Sequence, residues 1–287
     1  MRDVEALAVN KQFLRSIADN QYEIPDDIDC FAFAKALLAN FSSPDEELRD
    51  GLSSMILASG IIDKQKLTGE QLRNLLLIVL DKEHLFYRIG EAGTDSVFMR
   101  SFSNLIVAAI LYTDARASRL PAEAVRQARD ALLRYAREEQ DWRGYIRGKG
   151  WAHAMAHLAD ALDECAQHPA MSRADREEIM RMVSTLARLP EPLYHEEDVR
   201  LATVAYHIIG CKQVEDEFLS VWLQSCFVRR DADVRSWTQA TNAKNFMRSL
   251  YFLLLWDDIA RTLADQIADI LKRQDRIYIE DETGDQR

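Results

Sequence analysis

Glycine and proline are scarce in this chain, with 10 Gly and 6 Pro among 287 residues. Few breakers leave long uninterrupted stretches, and none of them shows sustained period-two alternation, which argues against a sheet-based fold. Cysteine is scarcer still. Cys30, Cys165, Cys211 and Cys226 are widely scattered with no Cys-x-x-Cys. Cys165, Cys211 and Cys226 lie among apolar residues at helical spacing and read as reduced core thiols. Positive charge is in deficit: 36 Lys and Arg face 47 Asp and Glu, for a formal net charge of -11. That balance argues against a nucleic-acid or anionic-membrane partner. The N-terminus has no basic region followed by an apolar run, so no signal peptide is read. The longest apolar runs, 105–112 and 250–256, are far too short to span a bilayer. The expectation is a cytoplasmic protein. There is no nucleophile elbow, and no Cys has an evident His partner, so Ser or Cys nucleophilic catalysis has no positive signal.

What the chain does have is helical periodicity. Hydrophobic residues make up 48% of it, enough for a sizeable core. Amphipathic or apolar helices are expected at 4–19 and 30–40. The sequence Ser43-Pro44-Asp45-Glu46 is a start signal for a helix to Ser59, stopped by Gly60. Thr68 opens a helix through the apolar run 75–80. Thr94 or Asp95 caps one over 96–112, and Pro121 starts another over 122–139. Later helices are expected at 151–165, 173–188, 195–209, 214–227, 241–256 and 260–274, with a charged linker over 229–236. About twelve helices with short connections favour antiparallel neighbours. The expected fold is a single all-α domain over 1–287, built as stacked helical hairpins in a HEAT- or armadillo-like superhelix. A helical toroid or irregular bundle is the alternative. Residues 280–287 are expected to form a disordered tail.

The densest stretch in functional side chains is 141–160, which holds two Trp, three cations, three Gly, two His and two Asp. Gly144, Gly148 and Gly150 mark its first half as a loop. A helix is expected from Trp151, with Met155, Leu158, Leu162 and Cys165 on one face. His153, His157, Asp160 and Glu164 fall on the opposite face. His153 and His157 at i,i+4, with Asp160 one turn on, are residue types that hold a divalent metal. The Glu of His-Glu-x-x-His is replaced by Ala154. The alternative is a solvated or hydrogen-bonded polar face. In the loop, Arg143, Arg147 and Lys149 precede a helix start and make a candidate anion site with Trp151 nearby. This is no P-loop: Gly144 to Gly148 is one residue short, and Gly150 follows Lys149. The competing reading spends the arginines on Glu138, Glu139 or Asp141.

Four stretches together resemble an uncharacterised bacterial family, domain of unknown function 2785. They are Gly93-Thr94-Asp95-Ser96-Val97-Phe98-Met99-Arg100-Ser101-Phe102-Ser103, then Arg143-Gly144-Tyr145 with Gly150-Trp151-Ala152-His153-Ala154-Met155-Ala156-His157, then Glu197-Asp198-Val199-Arg200-Leu201-Ala202, and Asn245-Phe246-Met247-Arg248-Ser249-Leu250-Tyr251. The resemblance implies an all-helical fold and brings no activity. It groups Asp95, Ser96, Arg100, Arg143, Arg147, Lys149, Trp151, Arg200, Asn245 and Arg248 as candidate ligand-binding residues, if the stretches converge. The alternative is an internal network pairing Asp95 with Arg100, Asp198 with Arg200, and Arg248 with an acid.

Three functions follow. The first is a helical-repeat module that binds a small anion or a protein or peptide partner through a polar pocket around 141–160. The second is a metal-assisted hydrolase, with a divalent ion on His153, His157 and Asp160 and with Glu197 or Asp198 as the catalytic candidates. The third is a helical-toroid carbohydrate enzyme using paired carboxylates such as Asp160 and Glu197, with Trp142 or Trp151 as a stacking surface.

Overall fold

The structure is a computed structural model that describes residues 3–231 and 233–275. The expected tail at 280–287 lies outside the described residues. Among the described residues, twelve α-helices carry the fold, and the only sheet is a two-stranded hairpin. The chain falls into two compact units, Met1–Ser172 and Arg173–Arg287.

In the first unit, α1 (Val4–Ala8) and α2 (Lys11–Asp19) replace the single helix expected over 4–19. Asn10 makes the break: its side chain accepts from the backbone N–H of Phe13 at 3.1 Å and caps α2. After α3 (Cys30–Leu38), the segments Glu47–Ser54 and Ile56–Asp63 are wound as π-helix. Gly60 does not end this helix, contrary to expectation. It is buried inside it, against the backbone of Tyr22, where an added Cβ would lie 2.8 Å from the carbonyl oxygen. A missing side chain here serves close packing rather than a C-cap. Thr68 opens α4 (Gly69–Val79) as expected, and it forms a capping box with Gln71.

α5 (Ser96–Ala117) is the central rod of this unit, and α6 (Ala122–Glu138) and α7 (Ala154–Gln167) follow it. α5 packs most extensively along α7. Ala154, Ala156, Ala159 and Ala161 of α7 are all buried, and small side chains let two helix axes approach. Among the described residues, α5 alone is long and apolar enough to cross a membrane, yet 83% of its apolar window is buried inside the structure, as in a core helix. Its interior face is unusually polar, with Arg100, Ser101, Ser103 and Asn104 all buried.

The second unit contains α8 (Arg173–Leu186), α9 (Glu197–Gly210), α10 (Asp216–Ser225), α11 (Val234–Trp256) and α12 (Arg261–Asp275). α11 packs on both α9 and α12. It starts seven residues before the expected 241, because Asp233 caps it by accepting from the Ser236 N–H at 3.0 Å. Asn242 donates to the carbonyls of Leu189 and Glu191 and so pins the Pro190–Pro192 turn to α11. Trp222 packs edge-on to Phe246 and donates its indole N–H to the Met180 carbonyl at 2.6 Å.

Candidate functional site

The stretch 141–153 is more ordered than a loop. Tyr145–Ile146 and Gly150–Trp151 pair antiparallel as β1 and β2, with Tyr145 opposite Trp151. Gly150 has φ +81°, and a Cβ there would lie 2.2 Å from the Glu46 side chain, so both its backbone and its surroundings require glycine. The helix that follows starts at Ala154, three residues later than expected. His153 sits outside it as the N-cap, in the left-handed conformation at φ 51°. Its carbonyl still accepts from the His157 N–H at 2.9 Å, so the two residues remain one turn apart. The His153 ring stacks flat on Trp151 at 4.1 Å, and the His157 ring lies 5.4 Å away and tilted.

His157 is buried and turned into the α5–α7 seam. The Ser101 hydroxyl donates to the Ala152 carbonyl, so the His157 Nδ1–H donates to Ser101 Oγ, at 2.9 Å. The Phe102 ring meets His157 edge-on at 5.0 Å. Asp160 lies further along α7, lining a different surface. Among the described residues, no group of three or more His, Cys, Asp and Glu side chains is placed to hold a metal ion. His153, His157 and Asp160 are therefore not gathered as a ligand set.

Behind the hairpin, Arg100, Glu139 and Asp141 form a buried charged knot. Arg100 and Glu139 are a fully buried bidentate pair, Nε to Oε2 at 2.6 Å and Nη2 to Oε1 at 2.8 Å. The remaining guanidinium N–H groups reach Ser96 Oγ and the carbonyls of Tyr87, Arg88 and Glu91. Glu139 Oε1 also accepts from the N–H groups of Gln140 and Asp141. Burial pulls the Arg100 guanidinium down, but its bonds to Glu139 outweigh this and raise it. Burial, reinforced by Glu139, pushes the Tyr135 hydroxyl well above its ordinary range. Asp141 is equally enclosed. It accepts from Arg143 Nε and Nη2 at 2.7 and 2.6 Å and from the Gly93 N–H at 2.9 Å. Arg143 donates onward to the Thr94 carbonyl at 2.6 Å. Lys149 pairs with Asp95 at 2.6 Å, so Asp95 does not partner Arg100.

Two of the three loop cations thus bond acids of this unit: Arg143 takes Asp141, as in the competing reading, and Lys149 takes Asp95. Arg147 is exposed at the hairpin turn. Asp95 makes no side-chain cap for α5. Trp142 is buried edge-on against Tyr135 and offers no stacking surface, while half-buried Trp151 is covered on one face by His153. Arg49 was not foreseen. It is fully buried with its guanidinium over the Phe98 ring at 3.8 Å, and it donates to the carbonyls of Ser43, Lys149 and Trp151. Its Nε has no hydrogen-bond partner. Nothing in the local sequence marks it, because its partners lie up to 102 residues away.

In the second unit, Glu197 is buried and accepts from the His195 N–H at 2.6 Å. Asp198 accepts from the Ser249 hydroxyl at 2.7 Å, which joins the third and fourth polar stretches. Arg248 donates to Asp275 at 3.1 Å. Arg200 is exposed and Asn245 half-buried.

A family model described as Protein of unknown function (DUF2785) matches residues 85–252. The chain belongs to this family. No curated protein and no solved structure matches it. The DUF2785 region takes in all four polar stretches, and it begins just ahead of the carbonyls that hold Arg100.

One open surface in the first unit contrasts with the knot. A groove of about 420 Å³ runs between the π-wound segment, α5 and α7. Met55, Ala58, Leu105, Ala108, Ala109 and Tyr112 line it, and Asp63, Asp160, Asp163 and Glu164 place carboxylates around it. Arg116 stands at its Tyr112 end, with its guanidinium 3.5 Å over the Tyr112 ring and its charge acting on Asp63. Burial pushes the Asp63 carboxyl above its ordinary range, against a smaller lowering by the Thr113 hydroxyl. The DUF2785 region supplies the α5 and α7 walls, and the preceding chain supplies the rest.

Proposed function

We propose that this protein is a binding module that takes a basic side chain of a peptide or protein partner into the groove between the π-wound segment, α5 and α7. One observation carries the reading: an apolar-lined groove of about 420 Å³ with four carboxylates in its lining. Its volume lies in the range of ligand pockets and suits one or two side chains rather than a whole helix. A Lys or Arg matches it in both parts, with an aliphatic stem for the apolar lining and a charged head for the rim. The acidic excess of the whole chain would assist encounter with such a partner. The site moves from the hairpin to the far end of 141–160, because the hairpin cations Arg143 and Lys149 are engaged with Asp141 and Asp95. Stacked helical hairpins remain the proposed arrangement, supported by the packing of α8 on α9 and of α11 on α12.

The test is fluorescence anisotropy with a labelled peptide alternating Lys, Arg and Leu, against one with Glu in place of each cation. The basic peptide should bind and weaken with added salt. Asp160→Asn with Asp163→Asn should reduce its affinity about tenfold. Equal binding of both peptides, or no loss in the double variant, would end the reading.

A further inference from the structure

A further cavity lies within the second unit. It has a volume of about 50 Å³ and is lined by Arg230, Trp237, Ala240, Thr241, Lys244 and Gln274. Three elements build it. Trp237, Ala240, Thr241 and Lys244 are spaced i, i+3, i+4 and i+7 along α11, which lays them on one side of that helix. Gln274 comes from the last turn of α12, and Arg230 from the segment between α10 and α11.

Both cations of this cavity are anchored within the unit. Arg230 donates to the Gln274 carbonyl at 2.6 Å, and its guanidinium lies over the Trp237 ring at 5.1 Å. A cation at the C-terminal turn of α12 is favoured by the helix dipole. Lys244 donates to Asp275 at 2.9 Å, and Arg248 shares that carboxylate at 3.1 Å. A guanidinium has five N–H donors and an ammonium three, so both groups can keep these bonds and still donate to a ligand. Thr241 adds a hydroxyl to the lining.

Gln274 contributes the opposite polarity. It is 8% exposed, and its Nε2 donates to the Val228 carbonyl at 3.4 Å. That bond fixes the carboxamide, because a flip would set two oxygens against each other. Its Oε1 is buried and has no hydrogen-bond partner among the described residues. A buried amide oxygen of this kind costs free energy until a donor reaches it. The matching occupant brings negative charge for Arg230 and Lys244 together with a hydrogen-bond donor for Gln274.

Small oxyanions differ on that second point. Inorganic phosphate keeps a proton on oxygen at neutral pH, and sulfate has none. A phosphate monoester, with its second pKa about 6, has lost most of its proton. We propose that this cavity is a binding site for inorganic phosphate. Arg230, Lys244 and Thr241 donate to its unprotonated oxygens, and Gln274 Oε1 accepts from its P–OH. The volume suits one tetrahedral oxyanion and is far below that of a pocket for a nucleotide-sized ligand.

The test is equilibrium dialysis of the full chain against radiolabelled phosphate near neutral pH and at constant ionic strength. Unlabelled phosphate, sulfate and O-phosphoserine serve as competitors. The expected result is one saturable site per chain with a dissociation constant on the order of 100 µM, in keeping with a few charge-assisted hydrogen bonds. Sulfate and O-phosphoserine should compete at least about tenfold less well than phosphate, because they leave the Gln274 oxygen without a donor. Arg230→Gln should weaken phosphate and sulfate alike. Gln274→Met should weaken phosphate and bring it level with sulfate. Arg229→Gln, adjacent in the chain but outside the lining, should change neither. Absence of a saturable site up to about 10 mM phosphate would overturn the inference. Equal competition by sulfate would overturn it too, since that marks a merely cationic patch. So would tighter competition by O-phosphoserine, which would give the site to a phosphorylated partner. These competitions use the unaltered protein and decide the matter even where a variant fails to fold.

Discussion

The two ends of the segment 141–164 carry similar numbers of charged side chains and use them in opposite ways. At the hairpin end, Asp141 and the neighbouring Glu139 are buried and each meets an arginine in bidentate contact. At the α7 end, Asp160, Asp163 and Glu164 line an open, largely apolar groove. A paired, enclosed charge fixes geometry, and removing either partner strands the other in a low-dielectric interior. A carboxylate at the rim of an open groove borders both apolar surface and solvent. Charge density in the sequence therefore does not locate a binding site. The distinction lies in whether the acid is enclosed or borders an open groove.

The comparison can be broken most forcefully at the knot. Glu139→Ala should cost about 3–5 kcal/mol in urea unfolding, because it leaves Arg100 buried without a carboxylate. Arg100→Leu with Glu139→Leu should recover a good part of that loss; a double variant as unstable as the single one would mean the surrounding carbonyls, not the ion pair, set the cost. Next in size is Gly150→Ala, expected to cost about 2 kcal/mol from positive φ and the collision with Glu46. Adding Glu46→Ala should relieve the collision and leave about 1 kcal/mol of backbone strain. The groove end should behave differently. Asp160→Asn with Asp163→Asn should alter stability by no more than about 0.5 kcal/mol while basic-peptide affinity falls, a contrast that thermal melts and anisotropy report together.

The smallest effect is at Asp63. Its carboxyl is raised by burial, so the folded protein holds that proton more tightly than the unfolded chain does. The resulting contribution favours the folded state at low pH and fades as pH rises from the ordinary Asp value, about 3.9, through the raised one. Asp63→Asn should therefore be slightly stabilising at pH 7 and neutral at pH 3, measured as the shift in denaturant midpoint. Binding runs the other way, since a basic ligand needs the ionised form. Affinity for the basic peptide should drop as pH falls through the Asp63 range.

Helices were readable wherever the signal was local. Thr68 with Gln71, Pro121 before α6 and the periodicity of α12 each depend on residues within a few positions. Misplaced boundaries arose where one polar side chain or one contact intervened. Asn10 split the first helix, and Gly60 continued one because the Tyr22 backbone needed the space. At His153 a single left-handed residue moved the start of α7 to Ala154 and left His153 as its N-cap, with its ring stacked on Trp151.

Helix content, the acidic balance and the family resemblance follow from the sequence, because composition and periods of three to four residues are stored along the chain. Tertiary structure decided which acid meets which cation. Arg100 and Glu139 are 39 residues apart, and Arg49 reaches the Lys149 carbonyl across 100. Such pairings depend on how α5, α6 and the hairpin fold onto one another, and no local pattern encodes that.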